Sequence, residues 1–355
     1  MALSRGGSVS SHKVLITGAT GLLGRQVLKA MEERGWHVRG LGHTRAEGRV
    51  VRCDLLNSSE LEAQFDEFNP TIVIHCAAER RPDVLEADRA LAIKINVNLT
   101  RDIGKQCNAR GVWLIYISTN YVFDGKDAPY SEDAVPRPVN AYGESKRAGE
   151  VVLSEVSPNA AVIRVPLLYG PIKYIGETSV TALLSAMRKE APAFDNWQER
   201  FPTNTEDVAL VLEAFCAAYV LRKGKRLTEP FSGIFHWQAN ERHTKYTMAK
   251  VIAEIAGVND VRFVRMDDPP GPGQAPRPQF ERMLCSRMEK LLVEAGETDP
   301  DAFRCSFRER LCSHLRPFVS DDLTPKRKSR IIQELQGLLQ ELLQELQQER
   351  AAATA

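Results

Sequence analysis

The residues of this chain best suited to chemistry are a tyrosine and a lysine in the stretch Asn140-Ala-Tyr-Gly-Glu-Ser-Lys146. On a helix Tyr142 and Lys146, four apart, project from one face. A phenol has an unperturbed pKa of about 10, so acting as an acid or base near neutrality requires a neighbouring cation. A lysine ammonium at ~4 Å, in an effective dielectric near 20, is worth about 4 kcal/mol, enough to lower the phenol by up to about three pKa units. Upstream, Ser118-Thr119-Asn120 follows an apolar run, and Ser118 or Thr119 is placed to hydrogen-bond a reacting carbonyl oxygen. A lone Tyr-x-x-x-Lys is also compatible with surface decoration, so the elements around it decide.

Those elements start at Lys13-Val-Leu-Ile-Thr-Gly-Ala-Thr-Gly-Leu-Leu-Gly24, a buried strand turning through glycines into a helix that is expected to begin near Gly21. Gly18, Gly21 and Gly24, with Thr20, Leu22 and Leu23 between them, have the spacing that lets backbone approach a pyrophosphate and helix pack on strand. The helix N-terminus offers N–H groups and a positive dipole end to the anion. From Lys13 to about Val165 apolar runs at Val14–Thr17, Val38–Leu41, Val50–Cys53, Thr71–Cys76, Val112–Ser118 and Ala161–Val165 alternate with helical stretches. That alternation predicts a Rossmann-type doubly wound parallel sheet of the α/β class. Asn57, with Glu60 three residues on, resembles a capping box.

The end of the second strand bears on the cofactor. An NAD-preferring site usually carries an acid there, whereas this chain reads Gly40-Leu-Gly-His43-Thr44-Arg45, a loop that suits a 2′-phosphate and so NADP. The bland alternative makes Arg45 a solvated loop charge. Asp54, after the third strand, is placed on the adenine side. The fourth strand runs into His75-Cys76-Ala77-Ala78-Glu79-Arg80-Arg81, where Ala77 and Ala78 leave room for a flat dinucleotide and Arg80 or Arg81 can reach an anion. Cys76 has no base beside it in sequence and is expected to be a small cofactor-contacting residue; His75 is expected to be packed.

The 355 residues, 43% hydrophobic and 26% charged, are those of an ordinary globular chain. A net charge of +1 argues against nucleic acid or a membrane surface as the main partner, and no window reaches the apolar length of a membrane span. Seven scattered cysteines with no C-x-x-C, and no His at metal-ligand spacing, predict a reduced cytoplasmic or nuclear compartment and no metal. The expected organisation is a flexible tail over 1–11, an NADP-binding Rossmann domain over 12–170 with its sheet completed by later segments, a smaller α/β lobe over 171–319 facing substrate or partner, and a linker and amphipathic helical tail over 320–355.

In the lobe, Thr178–Lys189, Asp207–Leu221 and Lys245–Ala256 are expected helices, the last capped by Thr244, with Gly233–Trp237 a strand and Asp267 to Pro278 a loop. Trp197 and Arg200, beside a proline turn, suit recognition of a sugar or a protein, or simple packing. In the tail, apolar positions 332, 335, 339, 342 and 346 form a stripe that must be buried on a second copy, the chain's own body or a partner.

Thr17-Gly-Ala-Thr-Gly-Leu-Leu-Gly24, Asn96-Val-Asn-Leu-Thr100, Ser118-Thr-Asn-Tyr-Val-Phe-Asp-Gly125 and Tyr142-x-x-x-Lys146 together resemble the extended short-chain dehydrogenase/reductases, and within them the dTDP-4-dehydrorhamnose reductase branch. His75-Cys-Ala-Ala-Glu-Arg-Arg-Pro-Asp83, Trp197-Gln-Glu-Arg-Phe-Pro-Thr203, Phe235-His-Trp237 and Thr244-Lys-Tyr246 bring the resemblance closer to the regulatory β subunits of methionine adenosyltransferase. The resemblance covers about Lys13 to Ser320. It implies a non-catalytic, NADP-binding subunit in a hetero-oligomer with the catalytic subunit of methionine adenosyltransferase, modulating S-adenosylmethionine synthesis. By the same match the cofactor touches Thr20 to Leu23, His43, Thr44, Arg45, Asp54, Leu55, Cys76, Arg80, Tyr142, Lys146 and Leu168, with Thr119, Tyr142 and Lys146 as intact or vestigial catalytic residues.

One departure bears on catalysis: both branches usually read Ser-(Ser/Thr)-Asp-Tyr, and this chain has Asn120. An amide keeps the shape and removes the charge, which weakens the competing reading, an NADPH-dependent reductase of a nucleotide-linked 4-keto sugar. A structural scaffold with a vestigial pocket is the third reading.

Overall fold

A computed structural model describes residues 9–189, 191–221, 228–258, 262–271, 273–297 and 299–319. The leucine-rich tail lies outside the described residues. The strands are β1 (Lys13–Thr17), β2 (His37–Gly42), β3 (Val50–Arg52), β4 (Ile72–His75), β5 (Trp113–Thr119), β6 (Ala161–Val165), β7 (Leu168–Tyr169), β8 (Ala193–Asp195), β9 (Thr203–Asn204), β10 (Gly233–His236) and β11 (Val264–Met266). Seven of them form one parallel sheet in the order β10-β6-β5-β4-β1-β2-β3; β7 pairs with β9 and β8 with β11.

The six apolar runs expected between Lys13 and Val165 are the first six strands, within a residue or two at each end. They are apolar throughout because both faces of a parallel sheet are covered. Val14, Ile16, Ile72, Ile74 and Ile115 point into one core, and Leu15, Val73 and Leu114 into the other, as the period of two demands.

The helices are α1 (Gly24–Glu33), α2 (Ser58–Phe68), α3 (Pro82–Ala87), α4 (Arg89–Ala92), α5 (Leu99–Ala109), α6 (Ala141–Val156), α7 (Ala182–Ala186), α8 (Thr205–Leu221), α9 (Lys245–Ala256), α10 (Ser286–Ala295) and α11 (Phe307–Leu315). The first core is closed by α1, α8 and α10, and the second by α2, α5 and α6. Residues 171–319 therefore divide between the two layers: α8, β10 and α10 build onto the sheet, while α7, α9 and α11 enclose a separate apolar cluster around Leu184, Ile252 and Leu311. Order begins before residue 12, since Val9 packs against the first core.

Capping chemistry sets several boundaries. Asn57 Oδ1 accepts the N–H groups of Ser59 and Glu60, but Glu60 reaches back to the Asp54 N–H and the Asn57 side chain, so the reciprocal bond lands three residues earlier than in a capping box. Thr244 and Thr247 do form the full reciprocal box at the start of α9. The helix expected over Thr178–Lys189 is regular only at Ala182–Ala186, because Thr178 Oγ1 takes the Thr181 N–H and makes a turn ahead of it.

The chain leaves β1 toward β2 and β3, then returns to the other side of β1 at β4. This reversal opens a crevice outside the carboxyl ends of β1 and β4, the place where doubly wound sheets take ligands.

Candidate functional site

The glycine turn borders that crevice. Gly18 has φ +68°, and a Cβ there would lie 2.8 Å from the Ala77 backbone. A Cβ on Gly24 would lie 2.2 Å from the Gly18 carbonyl oxygen, whereas one on Gly21 would meet only that oxygen, at 3.1 Å. The first and third glycines thus allow chain crossings, and the second leaves the outer side of the turn open, a cradle that fits a pyrophosphate. The regular helix starts at Gly24, later than Gly21, yet the Arg25 N–H already bonds the Gly21 carbonyl.

Parallel strands bring the other cofactor candidates to the same edge. His43, Thr44 and Arg45 follow β2 and are exposed; Asp54 and Leu55 follow β3; Cys76, Ala77, Ala78 and Arg80 follow β4. Leu168, on β7, is half-buried. The loop after β4 is held by Asn96, whose side chain accepts from the Glu79 N–H and donates to the Glu79 carbonyl and to Ser145 Oγ, each at 3.0 Å. Asn96 lies in a π-helical turn over Ile93–Asn98, a local widening often found at functional sites. His75 is packed as expected, bonded to Thr17 and Thr100 and pushed down to about 3 by burial. Burial pushes the Cys76 thiol up to about 12, which removes it as a nucleophile at neutral pH.

Thr119 ends β5, and Tyr142 and Lys146 lie on the first turns of α6, which Asn140 caps through the Gly143 N–H at 2.9 Å. The expectation that the ammonium lowers the phenol is corrected here. Lys146 Nζ sits over the Tyr116 ring, 3.9 Å from its centroid, with Glu150 and Cys76 as its charged or ionisable neighbours. Burial pushes Lys146 down to about 7 and pushes the Tyr142 phenol up; the charges facing that phenol are Arg80 and Glu79. Ser118 donates to Glu150 Oε1 at 2.6 Å on the inner side of α6, so of the two hydroxyls only Thr119 faces Tyr142.

Two carboxyl groups with no local sequence signal enter the site. Glu177 pairs with Arg25 at 2.6 and 3.0 Å, accepts the Lys173 N–H at 2.8 Å, and gives its backbone carbonyl to Arg80 at 2.8 Å. Glu177 thus ties the strap 171–178 to α1 and to the loop after β4. Glu281 lies against Asn120, whose Nδ2 donates to it at 2.6 Å. A carboxyl group is thus present beside position 120, supplied from elsewhere in the chain, and burial pushes it up to about 7. Trp197 is half-buried, while Arg200 is buried and committed to Asp195 at 2.7 Å.

The RmlD substrate binding domain family matches residues 12–309 of this chain. Methionine adenosyltransferase 2 subunit beta of Xenopus tropicalis is 39% identical over 317 residues, 88% of this chain and 90% of that one. The dTDP-4-keto-6-deoxy-D-glucose reductase of Streptomyces niveus is 31% identical over 70% of this chain and 80% of that one. Among solved structures, dTDP-4-dehydrorhamnose reductase from Bacillus anthracis in complex with NADP superposes with a TM-score of 0.65 and 26% identity, covering 77% of this chain and 89% of that one. The chain belongs to the RmlD-like, Rossmann-fold class of nicotinamide-dinucleotide proteins and, within it, to the methionine adenosyltransferase 2 subunit beta family. Among the described residues no helix is long and apolar enough to cross a membrane.

Proposed function

We propose that this chain is an NADP-binding regulatory subunit that associates with the catalytic subunit of methionine adenosyltransferase and modulates S-adenosylmethionine synthesis. The observation that carries the reading is the 39% identity to a protein named as a subunit of that enzyme, spread over nearly nine-tenths of both chains. In this reading the pyrophosphate lies on Thr20 to Leu23, the adenosine side meets His43 to Arg45, Asp54 and Leu55, and the nicotinamide side meets Cys76, Arg80, Tyr142, Lys146 and Leu168. NADP is preferred because no acid follows β2 and Arg45 can meet a 2′-phosphate. Mixing the full chain with a methionine adenosyltransferase catalytic chain and separating by gel filtration tests the partner. A joint peak supports the reading; separate elution, with or without NADP, refutes it.

One observation favours a second reading, carbonyl reduction. Thr119, Tyr142 and Lys146 are brought to one crevice, and Glu281 returns a carboxyl to Asn120. A bound reduced dinucleotide would supply the hydride. Steady-state oxidation of NADPH with a dTDP-4-keto sugar, abolished by Tyr142→Phe, would establish it; the regulatory reading expects turnover to be absent or very slow.

A further inference from the structure

Arg52, the last residue of β3, is exposed, and its side chain makes no hydrogen bond and no ion pair among the described residues. Acids close to it in the fold are engaged elsewhere. Asp54 accepts the Leu56 N–H at 3.0 Å, Glu60 accepts from the Asp54 N–H and the Asn57 side chain, and Glu32 pairs with Arg49 at 3.4 Å. An exposed arginine alone points to nothing, but the register of the sheet places this one. β2 and β3 run parallel with Gly40 opposite Val50, Leu41 opposite Val51 and Gly42 opposite Arg52. Paired residues share a face, and the face alternates along each strand. Val50 packs into the core that α1 closes, and Leu41 and Val51 belong to the other core, so Gly42 and Arg52 stand on the α1 face.

The glycine turn lies on the same face. A Cβ at Gly40 would lie 2.7 Å from the Ala19 Cβ, and one at Gly42 would lie 2.6 Å from Thr20 Cγ2, so the turn rests on the end of β2 where that strand has no side chains. Arg52 is the next side chain outward. β3 is the outermost strand of the seven, and no further strand covers it on that side. A dinucleotide whose diphosphate lies on the glycine turn carries its adenine ribose over the end of β2. That ribose is then bordered by the loop bearing Arg45 and by the end of β3.

We infer that Arg52 is a second anchor for the 2′-phosphate of NADP, closing a clamp with Arg45 from the neighbouring strand. A phosphate monoester carries about −1.5 to −2 charge at pH 7 and accepts paired N–H bonds from a planar guanidinium. Two arginines match that charge. Arg45, in the loop over which the ribose lies, seats the phosphate, so its loss removes the preference for NADP. Arg52 tightens a phosphate already seated, so its loss weakens the preference. NAD has no group at that position and leaves Arg52 untouched. The inference deepens the NADP reading of the site and rests on it.

The test is titration calorimetry of the full chain with NADP, NAD, adenosine 2′,5′-bisphosphate and 5′-AMP. The wild type should bind each 2′-phosphorylated probe more tightly than its counterpart without that phosphate. Arg52→Gln should weaken NADP and the bisphosphate about tenfold while leaving NAD and 5′-AMP within about twofold. Arg52→Lys keeps the charge without the paired N–H bonds, and its NADP affinity should fall between those of wild type and Arg52→Gln. Melting temperatures without ligand should coincide in the three proteins, since the Arg52 side chain holds nothing in the free chain. An unchanged ratio of NADP to NAD affinity in Arg52→Gln, or an equal weakening of all four probes, overturns the inference and leaves the NADP reading standing. A wild type that binds NAD as tightly as NADP overturns both.

Discussion

Arg45 and Glu177 each make a prediction at the scale of one side chain. Arg45 is exposed in the loop after β2, where no acid holds a ribose hydroxyl, so NADP should stabilise the chain more than NAD at equal concentration. At 100 times Kd the stabilisation is about 2.7 kcal/mol, several degrees in melting temperature. Arg45→Ala should bring the NADP shift down to that of NAD; equal shifts in the wild type would remove the claim. Glu177 binds the 171–178 strap to Arg25, and this partly buried, bidentate pair is of the strong kind. Glu177→Ala should shorten the residence of bound dinucleotide about tenfold, equivalent to about 1.4 kcal/mol. An unchanged release rate by stopped-flow would show that the strap does not cover the bound molecule.

At the scale of elements, α6 carries the site and is tied to the sheet by one buried carboxylate. Glu150 takes Ser118 from β5 at 2.6 Å and both Arg164 Nε and Nη2 from β6, at 2.9 and 2.8 Å. Arg164 is 1% exposed; its guanidinium also meets His236 at 3.3 Å and lies over the Phe123 ring, 5.1 Å from its centroid. Glycines let the helix come this close: a Cβ at Gly149 would lie 2.5 Å from the Tyr116 hydroxyl, and one at Gly143 would lie 2.1 Å from the Tyr121 carbonyl oxygen. Glu150→Ala strands the guanidinium without its partner and should cost about 3–5 kcal/mol in urea unfolding. A loss under about 1 kcal/mol would mean that water or Ser118 replaces the carboxylate.

For the whole molecule, buried titrating groups couple folding to pH. His75 and His236 are pushed down to about 3 by burial, from 6.5. Between those values the unfolded chain binds up to two more protons than the folded one, so stability falls as pH falls below 6.5. Glu281, up at about 7 from 4.5, holds a proton in the folded state over much of that range and opposes one histidine. From these three groups the net slope between pH 6.5 and 5 is one proton, roughly 1 kcal/mol per pH unit, and Glu281→Gln should double it. Urea melts at pH 7, 6 and 5 measure both; stability that holds level on acidification in both proteins would contradict the burial of the histidines. The tail after Ser320 makes the second prediction at this scale. Its apolar stripe needs a surface, and Lys326, Arg327 and Lys328 would steer association at the rim. Truncation at Ser320 should leave the NADP shift intact and weaken the complex with the catalytic subunit, whose formation salt should slow. Equal capture by the truncated chain would assign the tail another task.

The amino-acid sequence by itself determined the elements. Strand periodicity, the glycine spacing after β1 and the four-residue step from Tyr142 to Lys146 are local, and each is written within a few residues of where it acts. That the sheet is parallel and doubly wound followed from alternation and the handedness of crossovers, whereas its strand order came from the tertiary structure. The family motifs needed no coordinates either. Only the tertiary structure decided which charges share the crevice. Asn120 and Glu281 are 161 residues apart, and Arg25 and Glu177 152, separations that leave no periodic trace in a chain read in order. It also decided the electrostatics of the Tyr142 and Lys146 pair. Their spacing put both on one face, but the depth of burial and the Tyr116 ring set what the ammonium does, and those depend on how α6 seats on the sheet. Spacing along a helix fixes direction, whereas a pKa depends on desolvation and on every charge within several ångströms, most of them brought from distant parts of the chain.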